Sequence, residues 1–326
     1  MTNILIFIIA ILVIATLVQI VRVSELLSEI KNKDVNEVTD KDNNTQGLLF
    51  LVVGFGFLIF VIWQMITWNH LLLPPASSVH GTQIDLLMKV SMGLIIVVFF
   101  ITSPLLFYFA FKYRGKKSNN AYFLSHNNKL EVVWTVIPTI ILTVLIIFGL
   151  KTWDNAMNVQ VTESTKLIEV YAKQYNWTAR YSGLDNKLGK ANYKLVKGKN
   201  TLGVDMLDIN SADDKMAREV HLVVNEPVLL KFRSQDVIHS AFLPHFRVQM
   251  NCVPGITTQF GFTPNKTTAQ MKESEGEDFE YVLLCNKICG ASHFNMQMKF
   301  IVETQEEYDI WIASQENLEK KLLTQK

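Results

Sequence analysis

The sequence predicts two unlike parts: an α-helical membrane anchor of four spans, followed by an all-β sandwich with a candidate metal loop near its end. Three observations predict this. Four long apolar runs fill the first 150 residues: Ile4–Val21, Gly47–Trp68, Leu86–Phe111 and Val132–Leu150. After Trp153 the apolar residues come instead in short runs punctuated by Pro and Gly, as in sandwiches. The third is the stretch Cys285-Asn286-Lys287-Ile288-Cys289-Gly290-Ala291-Ser292-His293-Phe294-Asn295-Met296, which gathers two thiols, an imidazole and a thioether.

Each apolar run is long enough to cross a bilayer, which takes about 20 residues and no fewer than ~17. The first could be a signal peptide, but residues 2–21 carry no charge and so lack a basic n-region; a retained span is expected. Lys89 near the start of the third run can snorkel to the interface. Pro74-Pro75-Ala76-Ser77-Ser78 marks a break before that run, and Pro104 inside it should kink the helix. The segment 112–129 holds Lys112, Arg114, Lys116, Lys117 and Lys129 without an acid. The segment 22–46 holds Arg22, Lys31, Lys33 and Lys41, whereas 69–85 has neither Lys nor Arg. Basic loops stay inside. Both termini and the metal loop are therefore expected outside, on the periplasmic side of a bacterial inner or equivalent energy-transducing membrane.

Beyond the anchor, Leu167–Tyr181 and Glu219–Phe232 alternate with period two. Phe242–Val248, Thr257–Thr263, Phe279–Leu284 and Met296–Val302 add short strands. Residues 182–218 are polar, with Gly183, Gly189, Gly198 and Gly203, and read as a long excursion. Thr304-Gln305-Glu306-Glu307 has the capping-box pattern of a final helix. Tyr308, Trp311, Ile312, Leu318 and Leu322 would form its apolar face. The expected division is 1–73 with two spans, 74–153 as a transmembrane hairpin, 154–303 as the sandwich and 304–326 as the C-terminal helix. A net charge of +1 gives no ground for a nucleic-acid partner.

Thiolate, thioether and imidazole together suit copper(I), zinc or iron–sulfur chemistry rather than calcium or magnesium. A mononuclear blue-copper loop uses one Cys, one His and a weak Met, with a second His upstream. Here the second Cys is one ligand too many, which points to two metals. The plainer alternative is a Cys285–Cys289 disulfide, which leaves His293 and Met296 unexplained. Cys252 has no ligand-spaced neighbour and is expected to be a small buried residue. His221, alternating with apolar residues, reads as a surface imidazole, and His245 as structural or exposed.

The Cys-x3-Cys-x3-His-x2-Met order, with Asp236-Val237-Ile238-His239-Ser240 upstream, resembles subunit II of the haem–copper cytochrome c oxidases, over roughly Pro74 to the C-terminus. The resemblance implies a cupredoxin-like Greek-key sandwich holding the binuclear copper centre CuA. Cys285 and Cys289 would bridge two coppers, His239 and His293 would cap one each, and Met296 and the Lys287 carbonyl would be weak axial ligands. It further implies electron transfer from a c-type cytochrome to haem and copper in the catalytic subunit I of a respiratory complex, where oxygen becomes water. No Cys-x-x-Cys-His occurs, so no haem is expected in this chain. Glu131-Val132-Val133-Trp134-Thr135-Val136-Ile137-Pro138 resembles the start of the family's second helix. Glu131 would then stand at the mouth of a proton pathway, or be an ordinary interfacial acid.

The family usually has two spans, so residues 1–73 are an addition. Two departures concern the site. Lys287 stands where the family usually has a magnesium-binding Glu, so the magnesium site is doubtful. Gln174-Tyr175-Asn176-Trp177 replaces Gln-Trp-Tyr-Trp, putting Tyr175 at the position of electron uptake with Trp177 behind it, unless both are only core. The acidic stretch Glu273, Glu275, Glu277, Asp278 and Glu280 would steer a basic donor or be a solvated turn. The alternative function is a membrane-tethered copper carrier or one-electron shuttle outside an oxidase; a structural zinc or disulfide loop leaves the Asp236–His239 motif and Met296 without a role.

Overall fold

The structure, a computed structural model, describes residues 2–30, 37–158 and 161–318, with side chains from residue 6 onward. Lys31, Lys33 and Leu322 lie outside the described residues. Among the described residues, four helices are long and apolar enough to cross a membrane: α1 (Thr2–Ile30), α2 (Asp40–Trp68), α3 (Val79–Lys112) and α4 (Asn128–Met157). Each outruns its apolar run because the polar flanks continue the helix. At α2 the Thr39–Asp42 capping box sets the start, with Asp40 and Asp42 complementing the helix dipole. The helix α3 runs through Pro104 without interruption.

The chain divides into two compact units. One comprises residues 1–69 and 95–127. There α2 and the end of α3 come close because Gly54 lies against the Phe107 ring and Gly47 against Phe111 and Arg114; a side chain at Gly54 would meet that ring. Arg114 donates to Asn44 Oδ1 at 2.5 Å and the Lys117 N–H to Asp40 Oδ1 at 2.9 Å. The two basic segments on either side of these helices therefore meet.

The other unit, 70–94 with 128–326, contains the sandwich. One sheet takes β1 (Lys166–Lys173), β2 (Asn176–Tyr181), β3 (Lys215–Ala217), β5 (Val228–Ser234) and β8 (Thr258–Phe262), in the order β3-β2-β1-β5-β8. The facing sheet takes β4 (Val220–Val223), β6 (His239–Leu243), β7 (Val248–Cys252), β9 (Tyr281–Cys285) and β10 (Gln297–Glu303), in the order β4-β10-β9-β6-β7. Ile168, Val170, Leu230 and Phe232 of the first sheet meet Leu222, Leu243, Leu283 and Phe300 of the second in one fully buried core. The period-two alternation places these residues inward.

Within this unit the start of α3 and the end of α4 are fastened to the sandwich. Ser77 N–H donates to His245 O at 2.7 Å and Val79 N–H to Thr263 O at 3.0 Å. Arg247 holds Asp85 of α3 with Nε–Oδ1 2.8 Å and Nη2–Oδ2 3.0 Å, a fork geometry.

Three differences from expectation have local causes. Residues Thr268–Glu275 form a helix, α5, because Thr267 and Gln270 make a capping box that the acidic composition masks. The last helix, α6 (Gln305–Ser314), ends before Leu318. Beyond it the chain bridges to Lys215, and Leu318 packs with Tyr171, Leu202 and Val204 in a second cluster. His221 is buried, not superficial. Its ring stacks on Trp311 at 3.8 Å, and Nδ1 lies 2.8 Å from Glu303 Oε1; the acids at both ring nitrogens satisfy an imidazole that alternation alone would leave outside.

Candidate metal centre

Three neighbouring strands build the site: β6 opens with His239, β9 ends with Cys285 and β10 starts just after Met296. Cys285 N–H donates to Met296 O at 3.1 Å, and Asn286 N–H to Ser240 O at 2.9 Å, so the loop leaves the sheet from a fixed base. Gly290 carries it through φ +137°, a region that disfavours side chains, and its Cα faces the Tyr175 hydroxyl. A short 3₁₀ turn, His293–Asn295, then returns the chain, with Met296 N–H bonded to His293 O at 3.2 Å.

The loop and strands bring the expected ligands together. Among the described residues, His239, Cys285 and Cys289 offer ligand atoms all within 4.8 Å of one another. The two sulfurs are 3.8 Å apart. That is far beyond the ~2.05 Å of a disulfide. It equals the ~3.8 Å edge that two thiolates span when both bind one tetrahedral ion at ~2.3 Å. Cys285 Sγ lies 3.8 Å from His239 Nδ1 and 3.2 Å from the Lys287 carbonyl. Cys289 Sγ lies 3.6 Å from His293 Nδ1 and 3.8 Å from Met296 Sδ. Each thiol thus has one imidazole and one weak donor beside it. Cys252 is fully buried outside this group, its thiol pushed up to about 12 chiefly by burial.

The surroundings orient these ligands. His239 is buried, and its Nε2 meets Asp236 Oδ1 at 2.9 Å, leaving Nδ1 toward the sulfurs. Burial tends to raise the Asp236 carboxyl. Hydrogen bonds from the Gln174 N–H, His239 and the Val237 N–H outweigh it and hold the group below the usual range. Burial, with the Cys285 thiol alongside, pushes Cys289 up to about 11. A metal must therefore displace protons to bind, so loading weakens as pH falls.

Tyr175 is half-buried and clasps the loop: its hydroxyl accepts the Ala291 N–H at 3.1 Å, while Gln174 Nε2 donates to Cys289 O at 2.5 Å. The Trp177 ring is buried 6.0 Å from the His239 ring, and its Nε1 donates to Met296 O at 3.4 Å. Glu131 lies apart from these residues, exposed in the first turn of α4. Sequence reasoning missed Gln174, Gly290 and the part Asp236 plays, although an acid three residues before a candidate ligand His was available as a signal. Gly290→Ala is expected to destabilise the sandwich by about 1–3 kcal/mol, through positive-φ strain and collision with Tyr175. Denaturant unfolding measures this; an unchanged midpoint would exclude the strain.

Helices long and apolar enough to cross a membrane, with a cupredoxin-like sandwich carrying a sulfur-rich donor group that could hold a metal, define the class of protein. Sequence profiles of known families agree. Residues 66–152 match the transmembrane domain of cytochrome c oxidase subunit II, and 167–304 its periplasmic domain. The alternative cytochrome c oxidase subunit 2 of Bradyrhizobium diazoefficiens is 27% identical over 272 residues, covering 82% of this chain and 91% of that protein. Subunit 2 of the Synechocystis oxidase is 25% identical, covering 82% of each. The solved periplasmic domain of oxidase subunit II from Bradyrhizobium japonicum is 23% identical, covering 50% of this chain and 99% of that one, with TM-score 0.33. The chain belongs to the subunit II family of cytochrome c oxidase, an oxidoreductase complex.

Proposed function

We propose that this chain is the electron-accepting subunit of a respiratory oxidase, taking electrons from a c-type cytochrome at a binuclear copper centre and passing them to the haem–copper catalytic subunit. One observation carries this reading: two thiols 3.8 Å apart, each flanked by its own imidazole and its own weak donor. That is a donor set for two soft ions, not one. Cys285 and Cys289 would be the shared ligands, His239 and His293 the nitrogen ligands, and Met296 and the Lys287 carbonyl the weak ones. A copper pair held there would take up and release one electron at a time. The chain's own contribution is rigidity. Asp236 fixes the His239 ring, Gln174 and Tyr175 hold the loop backbone, and the core beneath keeps Met296 in place, so little need move when the charge changes.

Tyr175 and Trp177, against the loop and a ligand ring respectively, fit an electron-uptake position. Glu131, at the same end of α4 as the basic segment 112–129, fits the mouth of a proton path from the cytoplasm. The meeting of the two basic segments supports that sidedness, with the sandwich on the periplasmic side. Residues 1–73 would be an added anchor beside the 74–153 hairpin, the 154–303 copper domain and the 304–326 tail.

The test is copper counting with electron paramagnetic resonance on the full chain in detergent. Two coppers per chain sharing one unpaired electron support the proposal. One copper with a blue mononuclear signal would favour a carrier or shuttle, and no copper would return the loop to zinc. At position 287 an ammonium cannot ligate a cation, so no tight divalent site is expected there. Stoichiometric manganese binding at this position would refute that.

A further inference from the structure

We infer that the electron donor docks through an acidic face, into a basic cleft beside Trp177; this rests on the electron-accepting function proposed above. The cleft has a volume of about 670 Å³. Trp177 and Gln297 line it, one touching the His239 ring and the other following Met296 in the chain. It therefore adjoins the candidate ligands, as a donor's approach requires.

Its charge has one sign. Lys173, Lys199 and Arg218 line it, no carboxylate does, and none of the three cations makes an ion pair among the described residues. Lys199 ends a run with Lys187, Lys190, Lys194 and Lys197, and no acid lies between Asp185 and Asp205. That run is not loose. Leu202 and Val204, just beyond it, are buried against Tyr171, and Arg180 grips Gly189 O at 2.8 Å. The excursion thus holds its backbone in place beside the cleft, with Lys199 of the run and Arg218 at its end lining it.

The acidic stretch expected to steer a basic donor is placed elsewhere. Glu275, Glu277, Asp278 and Glu280 surround His245 at the start of β9. Cys285 ends that strand, five residues on and so roughly 16 Å away at ~3.3 Å per residue. Steering acts where field and reacting centre coincide, and here they coincide on the basic side. A cytochrome with carboxylates around its exposed haem edge complements this cleft; one with lysines there is repelled from it.

The experiment uses the full chain in zwitterionic nanodiscs, probed with mitochondrial-type cytochrome c, which is basic, and with the same protein succinylated on its lysines. The succinylated form is expected to bind more tightly, to weaken as salt rises, and to lose on the order of tenfold or more in affinity with Lys173→Glu/Lys199→Glu/Arg218→Glu. Glu277→Gln/Asp278→Asn should leave it unchanged. Tighter binding of the native cytochrome, or indifference to the triple substitution, overturns the inference. So does preferential capture of phosphatidylglycerol vesicles lost in the same variant, which would reassign the cleft to lipid headgroups. The copper count separates the two readings. A two-copper chain that prefers the basic cytochrome sinks this inference alone. A copper-free chain that binds the succinylated protein through the cleft keeps the docking surface and sinks the electron-accepting function.

Discussion

In the two-copper site proposed above, Cys289→Ser is expected to remove both ions from the full chain, by lowering affinity more than about 100-fold. The reason is its position: Cys289 Sγ lies within 3.8 Å of Cys285 Sγ, His293 Nδ1 and Met296 Sδ, so it is both a member of the shared thiol pair and the centre of one half of the donor set. A serine hydroxyl stays protonated and is a hard donor, unsuited to copper(I). Losing a supporting residue that only orients a ligand typically costs 10–100-fold, so a shared ligand should cost more. The same scale orders the other variants. Asp236→Asn should fall in that 10–100-fold range, because it weakens the hydrogen bonds to His239 and to the Gln174 N–H without removing a ligand. Met296→Leu should keep both coppers and alter only the resonance signal, since a thioether is a weak ligand and leucine fills the same buried space. Copper counting checks all three. Equal loss in Met296→Leu and Cys289→Ser would mean that the loop folds around its packing and not around its thiols.

The parts of this molecule legible in its sequence are those fixed by period and spacing. Four apolar runs gave four helices, because the run length is set by the bilayer and not by neighbours. The spacing made the grouping of these donor side chains legible, because Cys285, Cys289, His293 and Met296 sit on one short loop whose turns are local. What stayed hidden depends on distant partners. Alternation put His221 outside, yet Trp311 and Glu303, over 80 residues on, cover it. Acidic composition hid α5, although its Thr267–Gln270 cap is local. By resemblance Tyr175 reads in sequence as an aromatic at the position of electron uptake, or as core. Only the fold reveals that its hydroxyl holds the Ala291 N–H, 116 residues away, a bond that a tryptophan indole, with no acceptor, could not make.

The largest stability effect is expected from Arg180→Met, which should cost about 3–5 kcal/mol because it strands the buried Asp214 carboxylate and leaves Glu169 with one of its two cations. Arg180 Nε holds Glu169 Oε2 at 2.7 Å and Nη1 holds Asp214 Oδ2 at 2.8 Å, and all three side chains are almost wholly buried. Arg233 also holds Glu169, joining β1, β2 and β5 to the excursion. Asp214 gives the network a pH signature. Burial raises its carboxyl to about 6, against the pull of Arg180 and the Gly189 N–H, and its Oδ1 has no hydrogen-bond partner among the described residues. Between its unfolded value near 3.8 and about 6, the folded chain binds more protons than the unfolded one. Stability contributed by this group therefore falls as pH rises through that window and is level above it. Glu169 acts oppositely. Burial pushes it up, but Arg180 and Arg233 pull it below its ordinary value, so its contribution is lost only as pH falls below about 4.5. Asp214→Asn should abolish the fall between pH 4 and 6 while leaving the acid-side loss in place. In Arg180→Met the window should extend upward, because Asp214 loses the cation that restrains it. Denaturant unfolding of the sandwich across this pH range, followed by tryptophan fluorescence, reads both. An Asp214→Asn chain with the original slope would show that the titrating group lies elsewhere.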